Sequence, residues 1–404
     1  MKRITVLLLA VLCISCSSAI ENKPQLLLIS FDGFRADYIS KTDTPNFDKL
    51  IEEGVVAEGL IPIFPTKTFP NHYAIATGLY PENNGLIGNN MYDPEMDAKY
   101  AISDRDAVEN PDWYKGEPIW NTVEKAGKKA GTMFWIGSEA PIQNMRPTHW
   151  KTYDGSVANL ARVDTVLHWM TNQSNPVDFG TAYFSIIDDQ GHRFGPDSEE
   201  VIEAIQEADK IVGYMIDKLK EVDPKGNINI MIVSDHGMIA LSPEKKVVLD
   251  DFIDVDDIEM IAPSPALMFN VKEGVDKEKI YSALKANEEH YKVYSKDDIP
   301  DRFHLKNNIR TTDFLMVAEE GYTVDSEEYF ESRGADYPMG GTHGFDNNNT
   351  KMDALFVAYG PAFKKGIKLG RVENIHLYEV MAKILNVKPA PNDGNLNAVK
   401  EILK

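Results

Sequence analysis

Cysteine is almost absent from this 404-residue chain: Cys13 and Cys16 are the two examples, and both fall within the first 16 residues. No disulfide therefore braces the remainder, and stability must come from a large apolar core and any bound metal. Positive charge is scarce as well. The 42 Lys and Arg residues face 63 Asp and Glu, a formal net charge of −21. Such a balance excludes a binder of the nucleic-acid backbone, so no duplex partner is expected. An anionic substrate would need positive charge from another source, and a bound divalent cation supplies it most economically. Internal repeats and low-complexity linkers are also lacking.

What is present begins with a leader. Lys2 and Arg3 precede the apolar run ITVLLLAVLCI, and the small polar segment SCSSA follows. Residues 1–15 read as an export signal, too short to span a bilayer with its own anchoring flanks. Cys16 follows a small residue and precedes two serines. A lipoprotein signal cleaved before Cys16 is preferred over plain secretion. The expected location is then the periplasm or outer membrane of a Gram-negative bacterium, with attachment through lipidated Cys16.

Beyond the leader, residues 24–400 read as a single catalytic domain. QLLLIS is an uninterrupted apolar strand, and similar runs recur at GTMFWIGS, TAYFSIID, INIMIVSDHG and MDALFVAYGP. Helical patterns such as SVANLARVDTVLHWM and SEEVIEAIQEADKIVGYMIDKLKEV separate them. Apolar strands alternating with amphipathic helices predict an α/β fold with a mostly parallel central sheet between helical layers. The polar stretch from about 270 to 335 is expected to form a small antiparallel lobe inserted before the last strand. Residues 91–120 are expected to be long loop and short helix.

Acidic turns fall where the predicted strands end, which is where an open α/β sheet places its site. Four segments supply metal-ligand types there: FDG with Asp32, DDQGH with Asp188 and His192, SDHG with Asp235 and His236, and GTHG with His343. Imidazole with carboxylate suits zinc, and six such ligands suffice for two ions if a seventh group completes one of them. Asp188 rather than Asp189 fits the D-x-x-x-H spacing. The seventh candidate is Thr68, at the expected N-cap of a helix with Pro70 in its first turn. A helix N-terminus favours negative charge, and a metal contact supplies the activation that a threonine hydroxyl lacks. His72, on the same helix, suits a supporting donor or a structural histidine equally.

The ordered motifs PTKTFPNHY, TGLYPENNGLIGN, WYKGEPIW, DDQGH, SDHGM and HGFDN resemble the nucleotide pyrophosphatase/phosphodiesterase family of the alkaline phosphatase superfamily, over about residues 24–400. The resemblance implies an alkaline-phosphatase-like α/β core with two zinc ions per chain at the carboxyl end of the sheet. One zinc would be held by Asp188, His192 and His343. The other would be held by Asp32, Asp235 and His236, with Thr68 as remaining ligand and nucleophile. Asn89 and the Phe69 N–H would contact a nonbridging phosphoryl oxygen. Phe69 and Tyr153 would stack a nucleobase in a pocket also lined by Trp135 and Tyr183. The implied activity is hydrolysis of nucleotide phosphodiester or phosphoanhydride bonds, releasing nucleoside 5'-monophosphate through a phosphoryl-threonine intermediate. The expected partner is thus a nucleotide or other small phosphodiester. A phosphomonoesterase, a phosphonate hydrolase, or a lipid- or choline-type phosphodiesterase remains the alternative, and Lys67 is the cation that a monoesterase would use.

Overall fold

A fully apolar strand such as QLLLISF is stable only if both of its faces are covered. In the computed structural model, which describes residues 24–334 and 340–404, that is its position. The expected signal 1–15 and the lipidation site Cys16 lie outside the described residues. Strand β1 (Gln25–Phe31) sends Leu26 and Leu28 into one core and Leu27, Ile29 and Phe31 into another. It is followed by β2 (Val55–Ala57), β3 (Ala130–Met133), β4 (His149–Trp150), β5 (Phe179–Phe184) and β6 (Ile228–Val233). The lobe strands β7 (Ile258–Ala262), β8 (Ala266–Val271), β9 (Tyr291–Ser295) and β10 (Phe314–Ala318) come next. Strands β11 (Phe356–Tyr359) and β12 (Ile367–Leu369) then rejoin the main sheet.

The main sheet has the order β12-β2-β11-β6-β1-β5-β3-β4. Its neighbours run parallel except at β11, which is antiparallel to both β6 and β2. Helices α1 (Pro45–Glu53), α2 (Thr68–Thr77), α3 (Asn159–Thr171), α4 (Ile186–Phe194), α5 (Glu199–Val222) and α6 (Leu377–Leu385) cover it. The residues of α1, α3 and α5 share the core of Leu27 and Ile29, whereas those of α2 and α6 share the core of Leu28. Helix α5 shows why such segments form. The Ser198 hydroxyl caps it by accepting from the Val201 N–H, Glu199 and Glu200 occupy its first turn, and Val201, Ala204, Ile205, Ala208, Ile211, Val212 and Met215 fall on its buried stripe.

The lobe is a separate antiparallel sheet of order β7-β8-β10-β9 around Leu267, Phe269, Val293 and Met316. It begins at Ile258, earlier than expected from sequence, because β7 leaves Glu259 and Met260 exposed and lacks a clean alternating pattern. Residues 91–120 contain the expected short helix, Arg105–Glu109, but are not otherwise plain loop. They include a hairpin, Asn90–Asp93 with Ala98–Ala101, whose turn is set by Asp93 Oδ1 accepting from the N–H groups of Glu95 and Met96 at 2.9 and 3.0 Å. Among the described residues, no helix is long and apolar enough to cross a membrane.

Leu28 is fully buried on the central strand. Leu28→Ala is expected to lower stability by about 2–5 kcal/mol, the cost of lost burial plus a cavity, as read by urea unfolding. A loss below about 1 kcal/mol would contradict the two-sided burial of β1.

Candidate active site

Strand β1 lies between β5 and β6, so the carboxyl ends of these three parallel strands converge on one crevice. Asp32 immediately follows β1, Asp188 lies in α4 just after β5, and Asp235 follows β6. Gly33 makes the convergence possible. Its φ is +68°, and a Cβ there would approach the Asp188 Cα, Cβ and Oδ1 to 3.0 Å.

Asp32 and Asp235 are fully buried and Asp188 is partly buried, and each keeps an enclosed oxygen without a hydrogen-bond partner: Asp32 Oδ1, Asp188 Oδ1 and Asp235 Oδ2. The opposite oxygens of two of them are held. Tyr183 donates to Asp32 Oδ2 at 2.6 Å, and the Gly33 N–H donates to Asp235 Oδ1 at 3.2 Å. Burial raises Asp32 well above the ordinary carboxylate range, and the charges of Asp235 and Asp188 raise it further. Burial also raises Asp188. Asp235 goes the other way: burial pushes it up, but His236 and His72 outweigh this and hold it well below the usual range.

The three histidines complete the pattern. His192 Nδ1 lies 3.0 Å from Gly341 O, His236 Nδ1 2.9 Å from Gly237 O, and His343 Nδ1 2.8 Å from Thr66 O. A carbonyl can only accept, so each Nδ1 carries a proton and the lone pair of a neutral ring sits on Nε2. His236 Nε2 is 3.0 Å from Asp235 Oδ2, 3.4 Å from Asp32 Oδ1 and 3.2 Å from Thr68 Oγ1. His192 Nε2 is 3.4 Å, and His343 Nε2 3.9 Å, from Asp188 oxygens. Possible ligand atoms of Asp188, His192 and His343 fall within 4.8 Å of one another, as do those of Asp32, Asp188 and His236. Free carboxylate oxygens and imidazole lone pairs aimed at common points are a donor set that fits divalent cations.

His72 also falls within reach of Asp32 and Asp235, but its bonding shows a different part. Its Nδ1 is 3.0 Å from Thr68 O and 3.3 Å from Asp235 Oδ2, both acceptors, and its Nε2 is 2.8 Å from Ser30 Oγ. The single Nδ1 proton is taken by Thr68 O, so His72 is tied to the start of α2 and lies beside the Asp235 carboxylate without satisfying its Oδ2.

Thr68 is the first residue of α2, and Lys67 occupies the cap position. The expected Thr68 cap is displaced by one residue, which leaves the hydroxyl free to face His236. The Phe69 N–H, expected to face a phosphoryl oxygen, donates to Asn89 Oδ1 at 3.0 Å. That bond orients the Asn89 amide so that its N–H₂ group is the available donor. Lys67 Nζ donates to His343 O at 2.6 Å, and burial pushes its pKa down to about 8.

A cavity of about 250 Å³ opens beside Thr68, lined by Phe69, Trp135, Tyr153 and Tyr183 together with Asp32 and Asp188. All four aromatics named from sequence therefore meet there. Two have a further contact: Trp135 Nε1 donates to His72 O at 3.0 Å, and Tyr183 holds Asp32. Sequence reading missed Arg105 and Glu139 on the same wall, which pair with each other while Arg105 also reaches Glu109 at 3.1 Å. The i,i+4 spacing of Arg105 and Glu109 was legible; the partner from residue 139 was not. A larger cavity, about 530 Å³, lies among Lys49, Ile228 and Tyr359 at the opposite end of the sheet and contains none of these ligands.

An α/β sheet that gathers Asp/His clusters beside a hydroxyl and an aromatic cavity defines a metal-dependent hydrolase of the alkaline-phosphatase-like kind. The type I phosphodiesterase / nucleotide pyrophosphatase family matches residues 26–346, and the chain belongs to that family, as a hydrolase of phosphodiester and pyrophosphate bonds. It is similar to human ectonucleotide pyrophosphatase/phosphodiesterase family member 5, at 34% identity over 98% of this chain and 82% of the relative. Similarity to a bis(5'-adenosyl)-triphosphatase of Xenopus laevis is 35%, over 95% of this chain and 82% of that one. With human family member 1 the identity is 39% over 96% of this chain, which spans only 43% of that relative. The solved structure of murine ectonucleotide pyrophosphatase/phosphodiesterase 5 superposes with a TM-score of 0.89 at 33% identity, covering 94% of this chain and 100% of the murine one. These matches imply a small nucleotide or phosphodiester substrate.

The comparisons also overturn one expectation. The relatives and structures matched include proteins of human, mouse, cattle, frog and snakes and give no support to a bacterial envelope lipoprotein. Placement in a Gram-negative periplasm or outer membrane, attached through lipidated Cys16, is therefore withdrawn. A short apolar run followed by small residues is common to export signals in general and does not specify the cell that reads it.

Zinc titration checks the ligand set. Zinc is expected to stabilise the chelated protein by about 4 kcal/mol at a thousandfold excess over Kd. Asp32→Asn removes a buried like charge, so the metal-free variant should melt no lower than the metal-free wild type while most of the zinc response disappears. An unchanged zinc response in thermal melts would remove Asp32 from the ligand set.

Proposed function

We propose that this protein cleaves nucleotide phosphodiester and phosphoanhydride bonds to release nucleoside 5'-monophosphate, with Thr68 as nucleophile and two zinc ions as cofactors. One ion would be held by Asp188, His192 and His343, the other by Asp32, Asp235, His236 and Thr68 Oγ1. When bound, the ions supply Lewis-acid charge that lowers the pKa of the hydroxyl and of water and neutralises the transferring phosphoryl group.

The chain's own residues account for the rest. Thr68 Oγ1 gives up its proton to solvent and attacks phosphorus, the bond from phosphorus to the leaving oxygen breaks and that oxygen takes up a proton, and a phosphoryl-threonine forms; water then attacks phosphorus, the bond from phosphorus to Oγ1 breaks, and the Thr68 hydroxyl is restored with a proton from water. The α2 N-terminus adds a field favourable to the phosphoryl charge. The Asn89 amide, turned by the Phe69 N–H, donates to a nonbridging oxygen, an interaction worth roughly 3 kcal/mol where charge develops. Phe69 and Tyr153 offer faces to a base, with Trp135 and Tyr183 at the inner wall.

The aromatic cavity joined directly to Thr68 and the Asp/His clusters is the observation that carries this reading. Relatives support it: one is named for hydrolysis of a bis(5'-adenosyl) triphosphate, and an inactive variant of the murine protein is described in complex with AMP. The monoesterase alternative calls for an added cation free to meet a dianion. Lys67 gives its ammonium to His343 O, and Arg105 is engaged by Glu139 and Glu109, which favours the less charged diester.

Zinc-loaded protein should therefore turn over p-nitrophenyl thymidine 5'-monophosphate faster than p-nitrophenyl phosphate. Thr68→Ala should reduce the diester kcat by on the order of 10³-fold or more. A faster monoester reaction would overturn the substrate class, and undiminished turnover by the variant would reject Thr68 as nucleophile.

A further inference from the structure

Gly85, Asp93 and Trp113 have no part themselves in the mechanism above, yet a single buried side chain joins them. Arg310 lies in the connection leading to β10, and its side chain is 2% exposed. Its Nε donates to Asp93 Oδ2 at 2.7 Å. Its Nη1 donates to Gly85 O and to Trp113 O, both at 2.7 Å, and its Nη2 to Asp112 O at 3.2 Å. The guanidinium carbon also sits 4.8 Å from the centre of the Trp113 ring.

Gly85 and Asp93 bracket Asn89 at equal distances along the chain. One planar cation therefore fastens both ends of the segment that carries the proposed phosphoryl donor. The middle of that segment is held at the reaction end by the Phe69 N–H bond to Asn89 Oδ1. Gly85 is adapted to this contact: its φ is +88°, and a Cβ there would approach Arg310 Nη1 to 2.9 Å. The connection bearing Arg310 is itself anchored to the same region. Asn308 Nδ2 donates to Pro81 O at 3.1 Å, the Glu82 N–H to His304 O at 3.0 Å, and the Tyr80 and His304 rings stack at 3.6 Å.

We propose that Arg310 is a positioning residue for catalysis, which holds Asn89 in register with Thr68 by fixing both ends of the Gly85–Asp93 segment. The proposal rests on the role assigned to Asn89 under the proposed function. A lysine at 310 keeps the charge beside Asp93 but cannot present the planar fork that meets four acceptors. Small displacements of a transition-state donor cost rate more than substrate binding.

The test is a double-mutant cycle on the zinc-loaded full chain, with kcat and KM for p-nitrophenyl thymidine 5'-monophosphate and thermal melting of each variant. Arg310→Lys is expected to lower kcat about tenfold with KM within about twofold of wild type. In an Asn89→Ala background the same substitution should lower kcat by less than about twofold, although the melting temperature falls equally in both backgrounds. Equal losses of kcat in the two backgrounds would overturn the proposal and leave the Asn89 role standing. A normal kcat for Asn89→Ala alone would overturn the Asn89 role and this proposal with it. If Arg310→Lys does not fold, Asp93→Asn, which keeps an acceptor but weakens the Nε bond, takes its place in the cycle with the same expectations.

Discussion

Three carboxylates facing one another, two fully buried and one partly so, are the constraint on which this structure turns. Asp32, Asp188 and Asp235 are brought together by the ends of adjacent parallel strands, each with an oxygen that no protein donor satisfies. Such an arrangement is costly without a cation, as the upward displacement of Asp32 records. The surrounding framework sustains it by holding the other atoms firmly. Tyr183 and Gly33 take the opposite oxygens of Asp32 and Asp235, and backbone carbonyls take the Nδ1 protons of His192, His236 and His343. The ligand atoms are thereby left pointing at places a divalent ion can occupy.

The same arrangement explains how a very acidic chain handles an anionic substrate. Local positive charge would come from a divalent ion held by the Asp/His clusters and from the N-terminus of α2, while Lys67 and Arg105 are committed to protein acceptors. Under the proposed function, affinity for the uncharged end of the substrate would fall to the aromatic cavity. Its walls also belong to the catalytic framework, since Tyr183 holds Asp32 and Trp135 holds the His72 carbonyl. Changes in that wall are therefore expected to act on the Asp/His clusters as well as on the proposed base recognition. The lobe participates too, because Arg310 binds the loop that carries Asn89.

The alternating fold, the acidic strand ends and the α2 hydroxyl were legible before any coordinates, since apolar strands and D-x-x-x-H spacing are local properties. The antiparallel direction of β11 was not, because a short buried run reads alike in either direction. His72 illustrates a different limit. Its neighbours in sequence gave equal weight to a supporting and a structural role, and its position between Thr68 O, Ser30 Oγ and the Asp235 carboxylate comes from three segments distant along the chain. The lipoprotein reading of Cys16 failed for a related reason: a leader's local chemistry does not identify its cell.

By itself the sequence determined the layered α/β class, the family, and the residue types available for phosphoryl transfer, all of which follow from periodicity and short-range motifs. Tertiary structure alone decided which carboxylate oxygens remain free, which ring nitrogen of each histidine faces the centre, and that Phe69 orients Asn89 rather than standing open. It also decided that Arg310 meets Gly85, Asp93 and Trp113 from more than 190 residues away. Hydrogen-bond direction and burial arise between segments remote along the chain, so no local pattern encodes them.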